Sequence, residues 1–245
     1  MFTKNWLKWA AYGVLLLGAL CLLLTIIGDI GNRTRLLNFR TALGLFTWAG
    51  KFALPVAGVA VLIVIGTIVK KATPVVKSSA VVGLILAITI ALPYHLFVAK
   101  AQAVPRIHDI TTDTEHPPVF VKIASLREEG LNSLTYEGSK IAKQQIVAYP
   151  EVQPKYLNMD KGVAFSRGLA LVQELGWEVV DANQGEGRIE ATDTTVFFGF
   201  KDDVVIRITE EGPQKSRFDI RSVSRVGLSD VGVNAERILK FLHKL

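Results

Sequence analysis

The sequence predicts an α+β protein: an N-terminal three-helix transmembrane region, followed by a domain with an antiparallel sheet of four or five strands and two helices on one face. Two observations lead to this class. Three long uncharged apolar runs fill most of residues 1–100, and residues 160–245 alternate between short β-type segments and segments with helical spacing. We therefore expect a transmembrane region at 1–100 and a soluble domain at 101–245.

The apolar runs cover residues 10–28, 52–69 and 78–99, which are 19, 18 and 22 residues without a charged side chain. A helix needs about 20 residues to cross a hydrocarbon core of about 30 Å. Each run is therefore predicted to span a membrane, and membrane lipids are expected partners.

Charge divides unevenly between the two parts of the chain. Residues 1–100 hold ten Lys or Arg and one acid, whereas residues 101–245 hold 18 Lys or Arg and 21 Asp or Glu. The pI of about 9.4 thus comes from the membrane part, and the soluble domain lacks the basic excess that a nucleic-acid partner requires. Cys21 is the only cysteine, which excludes an internal disulfide and a multi-cysteine metal site.

The orientation in the membrane follows from the loop at 70–79. This short loop carries Lys70, Lys71 and Lys77, and short basic loops favour the cytoplasmic side. Basic residues are otherwise balanced between the two sides. We expect a cytoplasmic N-terminus and a soluble domain on the opposite side.

Residues 101–160 are predicted to form an irregular arm, because prolines at 105, 117, 118, 150 and 154 interrupt any long periodicity. Connections longer than about 12–15 residues are uncommon in compact domains. We therefore expect the arm to wrap the folded part or to form part of its site, with a short helix at 139–148.

The remaining elements are more regular. Asp160 is predicted to cap a helix that ends at Gly176, and a final amphipathic helix is predicted at 231–242. Strands are predicted between them at 177–181, 188–192, 196–200, 204–209 and 216–225. The Lys201-Asp-Asp203 segment is interpreted as a hairpin turn.

Alternation along the last two strands places charged side chains on one face of the sheet. The favoured register sets Arg207 opposite Asp219 and Val205 opposite Arg221, with Arg207 and Asp219 forming an exposed ion pair. Arg221 and Arg225 would then be free. Two interpretations stay open: a solvated surface, or a face that binds an anion or a partner protein and is partly covered by the arm.

The start of the last helix is the main candidate site. Arginine side chains and a helix N-terminus both favour anions, although structural ion pairing with Asp219 or Asp230 is the alternative. The candidate residues for binding an anion or a partner are Arg221, Arg225, Ser229, Asp230, Asn234 and Arg237.

A second candidate site in the arm contains His108, Asp109 and Asp113, which are residue types that exchange protons or bind metals. Their spacing matches no metal template, so no metal and no cofactor are expected. The serines at 222, 224 and 229 are not set in a nucleophile elbow, and no catalytic residue is assigned.

Three segments carry a family resemblance. They are Ile107-His-Asp-Ile-Thr-Thr-Asp113 with Pro117-Pro-x-Phe120, Gln145-x-x-Ala148-Tyr-Pro150, and Ser224-Arg-Val-Gly-x-Ser-Asp-x-Gly-x-Asn-Ala-x-Arg-Ile238. In this order they resemble the motifs of the domain-of-unknown-function family 1499 over residues 105–244. The resemblance implies a fold and a bacterial envelope setting, without a reaction.

The sequence therefore favours a multi-pass protein of the bacterial inner membrane with a noncatalytic binding or scaffolding domain in the periplasm. Its partner would be an envelope protein or an anionic ligand. Two alternatives remain: a membrane-tethered hydrolase or transferase that uses the C-terminal Arg-Ser-Asp-Asn cluster, and an accessory subunit of a transporter.

Overall fold

The computed structural model describes residues 5–128 and 131–245. The chain divides into two compact units, Met1–Lys100 and Ala101–Leu245, and each unit is described by itself.

Residues 5–103 contain three long helices, which confirm the three predicted apolar spans. They are α1 (Trp6–Arg33), α2 (Phe39–Val69) and α3 (Pro74–Ala103). All three are long and apolar enough to cross a membrane. Asn38 caps α2, because its side-chain oxygen accepts a hydrogen bond from the Thr41 amide at 2.9 Å.

Two glycines allow α1 and α3 to approach closely. A Cβ atom on Gly18 of α1 would lie 2.8 Å from the carbonyl oxygen of Gly83 on α3, and a Cβ on Gly83 would lie 2.7 Å from the Leu15 nitrogen. The two backbones therefore approach directly. Such close packing of small residues is how helices associate in lipid, where burying apolar surface gives no driving force.

Within the described part of residues 101–245, one antiparallel sheet contains six strands. They are β1 (Asp109–Thr111), β2 (Lys155–Leu157), β3 (Glu178–Asn183), β4 (Arg188–Thr194), β5 (Lys201–Glu210) and β6 (Ser216–Ser224). Their order is β1-β6-β5-β4-β3, with β2 also paired to β6. The helices of this unit are α4 (Lys122–Leu126), α5 (Ser139–Ala148), α6 (Lys161–Glu174) and α7 (Val233–Lys244).

The helix predicted after Asp160 is confirmed, and Asp160 accepts hydrogen bonds from the amides of Gly162 and Val163. The strand predicted at 196–200 is wrong, because residues 196–199 form the turn between β4 and β5. Phe198 and Gly199 both have φ near +61°, a left-handed backbone that no strand adopts. The apolar composition of this segment resembles a strand although its backbone reverses direction.

The arm is more ordered than predicted, because it contains β1, α4, α5 and β2. The predicted helix at 139–148 is confirmed as α5. Its Gln145 side chain is buried, donates to the Thr111 carbonyl at 2.7 Å and accepts from the Thr111 amide at 3.0 Å. An amide side chain thus takes the place of a further strand at the outer edge of β1.

The two faces of the sheet bury different residues. On one face, which we call the helix face, α6 and α7 pack against Ile189, Ile206, Phe218 and Ile220. On the opposite face, which we call the arm face, Phe120 and Ile123 of the arm pack against Val205 and Val223. The predicted pair of helices on one face is confirmed, and the interpretation of the other face as a solvated surface is wrong.

Candidate functional site

The arm face carries the charged residues that the alternation predicted. Its side chains from β4, β5 and β6 follow directly from the register of the paired strands. They include Arg188, Glu190, Thr192, Lys201, Asp203, Val205, Arg207, Arg217, Asp219, Arg221 and Val223, with Arg225 just beyond β6. Most of these charged groups have a partner supplied by the arm.

Arg221 is not free, contrary to expectation. Its guanidinium donates to both oxygens of Asp109 at 2.9 and 2.7 Å, and the two side chains are each only 3% exposed. It also donates to the carbonyl oxygen of Leu134 at 2.7 Å. The rings of Phe120 and Tyr136 each lie 5.5 Å from the guanidinium carbon. Arg221 is thus an anchor for the arm.

Burial raises the pKa of Asp109, although the hydrogen bonds and the charge of Arg221 oppose this shift. The pair therefore carries a real cost of desolvation. Such a pair specifies one position for the arm more than it adds net stability, since desolvation can cancel the attraction of buried charges.

The predicted register of Arg207 opposite Asp219 and of Val205 opposite Arg221 is confirmed. The Arg207–Asp219 pair at 2.9 Å is not exposed as predicted, because the side chain of Asp219 is only 1% exposed. Arg217 also binds Asp219, at 2.9 Å. Asp113 then joins both arginines from above the sheet, at 3.0 Å from Arg207 and 2.9 Å from Arg217.

Glu190 performs a role that the sequence did not reveal. Its carboxylate is fully buried on β4 and accepts hydrogen bonds from the amides of Val121, Lys122 and Ile123 at 2.8, 3.1 and 2.7 Å. It thereby caps the first turn of α4. Those amides lie almost 70 residues away in sequence. The one sequence signal for this contact is a charged residue at an alternate position of a strand.

Asp203 is shared by two arginines. Arg127 binds it at 3.0 Å and Arg225 at 2.8 Å, and the Thr192 hydroxyl donates to it at 2.9 Å. The interpretation of Asp202 and Asp203 as turn residues is wrong, because both are buried in β5. Burial lowers the pKa of Arg127, and the charge of Arg225 lowers it further, against the attraction of Asp203. The cluster carries one more positive than negative charge.

An open cleft of about 380 Å³ lies beside this cluster. Its lining residues are Ile123, Leu126, Glu178, Val179, Val180, Thr192, Lys201 and Arg225. Arg225 uses Nε and Nη2 for Asp203 and Thr192, so in the described residues its Nη1 has no partner. The same holds for the Lys201 ammonium within residues 5–128 and 131–245. We call this space the basic cleft.

A second open cleft, also of about 380 Å³, is lined by Pro117, Val119, Phe120, Leu134, Thr135, Tyr136 and Arg221. Its one cation, Arg221, is already committed to Asp109 and to carbonyl groups of the arm. It therefore offers a ligand little charge.

The other candidates at the C-terminus lie on the helix face. Arg237 binds Asp202 at 2.6 Å and Asp193 at 2.8 Å, and its guanidinium also contacts Ser222 and Asn234. Asn234 is fully buried and accepts from the Ser222 hydroxyl at 2.7 Å. These residues thus bind one another in a single network beside α7.

Asp230 and Ser229 form the turn before α7, whereas the N-cap position predicted for one of them is occupied by Gly232. Asp230 accepts from the amides of Gly232 and Asn234 at 2.8 and 2.9 Å, and Ser229 accepts from the Val231 amide at 3.2 Å. Burial raises the pKa of Asp230, opposed by those two amides. The acid already occupies the amides that an anion would need.

The arm candidates do not form one site. The carbonyl of His108 accepts from the Ser224 amide and from Asn234 on the helix-face side, whereas Asp109 and Asp113 bind different arginines. Across residues 5–128 and 131–245, no group of three or more His, Cys, Asp or Glu side chains is placed to hold a metal ion.

The structure thus separates the six C-terminal candidates. Arg237, Asn234 and Asp230 belong to the helix face, Ser229 lies in the turn before α7, Arg221 anchors the arm, and Arg225 lines an open cleft. Sequence reasoning missed Glu190, Arg127 and Lys201. Their signal was a charge beside apolar neighbours, which is too common to indicate a site.

A comparison with curated proteins finds no match. The family described as "Protein of unknown function (DUF1499)" matches residues 109–245, which covers the whole sheet, the arm from β1 onward and α7. This chain therefore belongs to the DUF1499 family, with three apolar helices joined to the N-terminal side of the family domain.

Proposed function

We propose that this protein is a membrane-anchored, noncatalytic binding protein whose soluble domain holds an anionic group in the basic cleft. The observation that carries the proposal is that Arg225 and Lys201 line the same cleft, while the Arg225 Nη1 and the Lys201 ammonium have no partner among the described residues.

Electrostatics favour an anion there. Arg127 and Arg225 share the single charge of Asp203, and Lys201 adds a further cation. Glu178 also lines the cleft. Together, the three cations and the two carboxylates of Asp203 and Glu178 leave one excess positive charge. The fork of Arg225 suits a phosphate or a carboxylate, and the half-buried position of its side chain, 27% exposed, weakens screening by solvent.

The hydrogen bonds of the serines support a noncatalytic role. In the described residues, the hydroxyls of Ser222, Ser224 and Ser229 bond to Asn234, Arg237 or backbone amides. Within residues 5–128 and 131–245, neither a histidine nor a carboxylate hydrogen-bonds to these hydroxyls as the base that nucleophilic catalysis by serine requires.

Calorimetry on the full-length protein in a neutral detergent, with inorganic pyrophosphate as the probe, tests the proposal. We expect saturable binding, weakened about tenfold or more by Lys201→Ala or Arg225→Gln, because a hydrogen bond to a charged group contributes about 1.5–3 kcal/mol. Arg167→Ala is the matched control, since Arg167 is an exposed cation on α6.

Equal weakening by the control would indicate attraction to net charge only and would refute the cleft. The melting temperature of each variant should stay close to that of the natural protein, because Asp203 keeps Arg127 and Thr192 as partners.

We further propose that the N-terminus is cytoplasmic and that the soluble domain lies in the periplasm of a bacterium. The basic loop at 70–79 supports this orientation. A reporter enzyme active only outside the cytoplasm should be active after Leu245 and silent in the 70–79 loop. The reverse pattern would place the domain in the cytoplasm.

A further inference from the structure

One end of the sheet collects several loops, which we call the arrival end because the chain enters the domain there. The amides of Ser224 and Asp230 donate to the carbonyls of His108 and Ile107, both at 3.0 Å. The Arg225 amide donates to the Lys201 carbonyl at 3.0 Å. The β4–β5 turn and the loop before α7 therefore lie beside residues 107–108.

The chain reaches this end soon after the last apolar helix. Ala103 is the last residue of α3, and only Val104, Pro105 and Arg106 separate it from Ile107. Even fully extended, a link of four residue steps covers at most about 14 Å. The connection between Ala103 and Ile107 is therefore short.

Two large apolar side chains project from the loops of this end. Phe197 in the β4–β5 turn is 79% exposed, and Leu228 in the loop before α7 is 69% exposed. The turn has a fixed shape, because Thr195 and Phe200 are hydrogen-bonded at 2.8 Å and the rings of Phe198 and Phe200 stack at 5.8 Å. Phe197 is therefore presented to the outside by an ordered turn.

Cations flank these apolar side chains. Arg106 is exposed just before Ile107, and Lys201 follows the β4–β5 turn and lines the basic cleft with Arg225. Exposed apolar residues bordered by Lys and Arg are the pattern that an anionic membrane surface attracts, with the apolar groups in the interface and the cations at the headgroups.

We infer that the anion held in the basic cleft is the headgroup phosphate of an anionic phospholipid, with Phe197 and Leu228 inserted in the lipid interface beside it. This inference rests on the proposed function, whose anion it identifies. The soluble domain then binds the surface of the same membrane that anchors it, and the arrival end is its lipid-binding surface.

The test uses the full-length protein with Cys21→Ala, so that one environment-sensitive fluorophore can be attached at a new cysteine. Phe197→Cys and Leu228→Cys report the proposed surface. Val163→Cys is the matched control, because Val163 is apolar and 54% exposed at the opposite end of the sheet, where Lys161 binds the Gly185 carbonyl. Each protein is placed in nanodiscs of phosphatidylcholine, alone or mixed with phosphatidylglycerol.

We expect the labels at 197 and 228 to shift to the blue and to be quenched by nitroxide-labelled lipids, more strongly with phosphatidylglycerol present. The label at 163 should show neither effect. Lys201→Ala should remove most of the gain from phosphatidylglycerol, since one basic residue near an anionic surface changes affinity about fivefold.

The outcomes separate this inference from the proposed function. Pyrophosphate binding in the cleft without quenching at 197 and 228 would overturn the lipid assignment and leave the anion site intact. Quenching that is indifferent to phosphatidylglycerol and to Lys201→Ala would also overturn the headgroup assignment. Loss of pyrophosphate binding together with no response to lipid would refute both.

Discussion

The two faces of the sheet are stabilised in different ways, although the same strands supply both. From β6, Phe218 and Ile220 enter an apolar core beneath two amphipathic helices, whereas Arg221 pairs with Asp109 of the arm and Asp219 pairs with Arg207 of β5. Apolar packing tolerates many partners, but a buried charge requires one particular partner. The comparison suggests that the helix face supplies most of the stability and that the arm face fixes the position of the arm.

Arg221 and Arg225 show how this difference creates a site. Both lie on the arm face, four residues apart, but Asp109 serves Arg221 alone whereas Asp203 is divided between Arg225 and Arg127. Arg221 is therefore neutralised and sealed by the arm. Among the described residues the Nη1 group of Arg225 has no partner, and Arg225 lines an open cleft.

The largest expected effect comes from removing the arm. A fragment of residues 101–245 should unfold cooperatively, because it retains the whole sheet and both covering layers. A fragment of residues 160–245 loses β1, β2 and every partner of Arg221, and it exposes the fully buried Glu190. We expect it to be poorly soluble or to lack a cooperative transition in urea, followed by circular dichroism.

Equal midpoints and slopes for the two fragments would show that the arm is a linker. The slope is informative as well as the midpoint, because it scales with the surface exposed on unfolding. Loss of the arm should lower both, because it also removes Ile107, Ile110, Ile141 and Val152 from the helix-face core.

The next effect breaks the buried pair. Arg221→Ala in the 101–245 fragment should cost about 3–5 kcal/mol of unfolding free energy, since it leaves Asp109 buried without its counter-charge. Phe218→Ala should cost about as much on the helix face, through a cavity. The single substitutions therefore do not distinguish the faces.

Replacing both members of the pair does distinguish them. Asp109→Leu combined with Arg221→Met should recover more than half of the loss caused by Arg221→Ala, because an apolar pair carries no desolvation cost. Urea denaturation of the single and double variants measures this coupling. A double variant as unstable as the single one would mean that the arm face needs the charge itself.

The faces themselves could be predicted from the sequence, whereas their partners could not. Alternation in β5 and β6 determines which side chains share a face, and a short hairpin fixes the register, so the pairing of Arg207 with Asp219 was accessible. The partner of Arg221 is 112 residues away in sequence, and no local pattern connects the two. The capping of α4 by Glu190 could not be predicted for the same reason, because the two segments are far apart in sequence.

Local composition also misled in one place. The apolar segment at 196–200 has the residue types of a strand. The chain must nevertheless reverse direction there, because this segment connects β4 to β5. Phe198 and Gly199 supply that reversal in left-handed conformations. The cost of this conformation at Phe198 is met by ring stacking and by hydrogen bonds within the turn, which single-residue preferences do not include.

A smaller effect is expected at acidic pH from Asp113. Burial opposes its charged form, but the amide of His116 and the charge of Arg217 outweigh it and hold the pKa of Asp113 below its usual range. A lowered native pKa gives stability that is present above the unfolded pKa of about 3.9 and is lost as pH falls through the native value. Asp113→Asn should therefore lose stability at neutral pH.

The difference between Asp113→Asn and the natural sequence should shrink as the pH falls below about 4, because protonation removes the same charge. Melting temperatures of both proteins between neutral pH and about pH 3 measure it. A difference that stays constant with pH would assign the effect to lost hydrogen bonds instead of to charge.

The smallest effect tests whether the arm face uses the hydroxyl of Tyr136. This ring stacks on Arg221, but its buried hydroxyl has no hydrogen-bond partner among the described residues. Burial, assisted by the charge of Asp109, raises the pKa of Tyr136 to about 12, so the phenol stays neutral at physiological pH.

Tyr136→Phe keeps the ring and removes an unsatisfied group, so the unfolding free energy of the protein should change by less than about 0.5 kcal/mol or rise slightly. Tyr149→Phe is the matched control, because its hydroxyl is also buried without a described partner and its ring, like that of Tyr136, packs against the helix-face core. A loss well above 1 kcal/mol at Tyr136 alone, measured by urea denaturation, would mean that its hydroxyl has a hydrogen-bond partner within the arm, such as an ordered water.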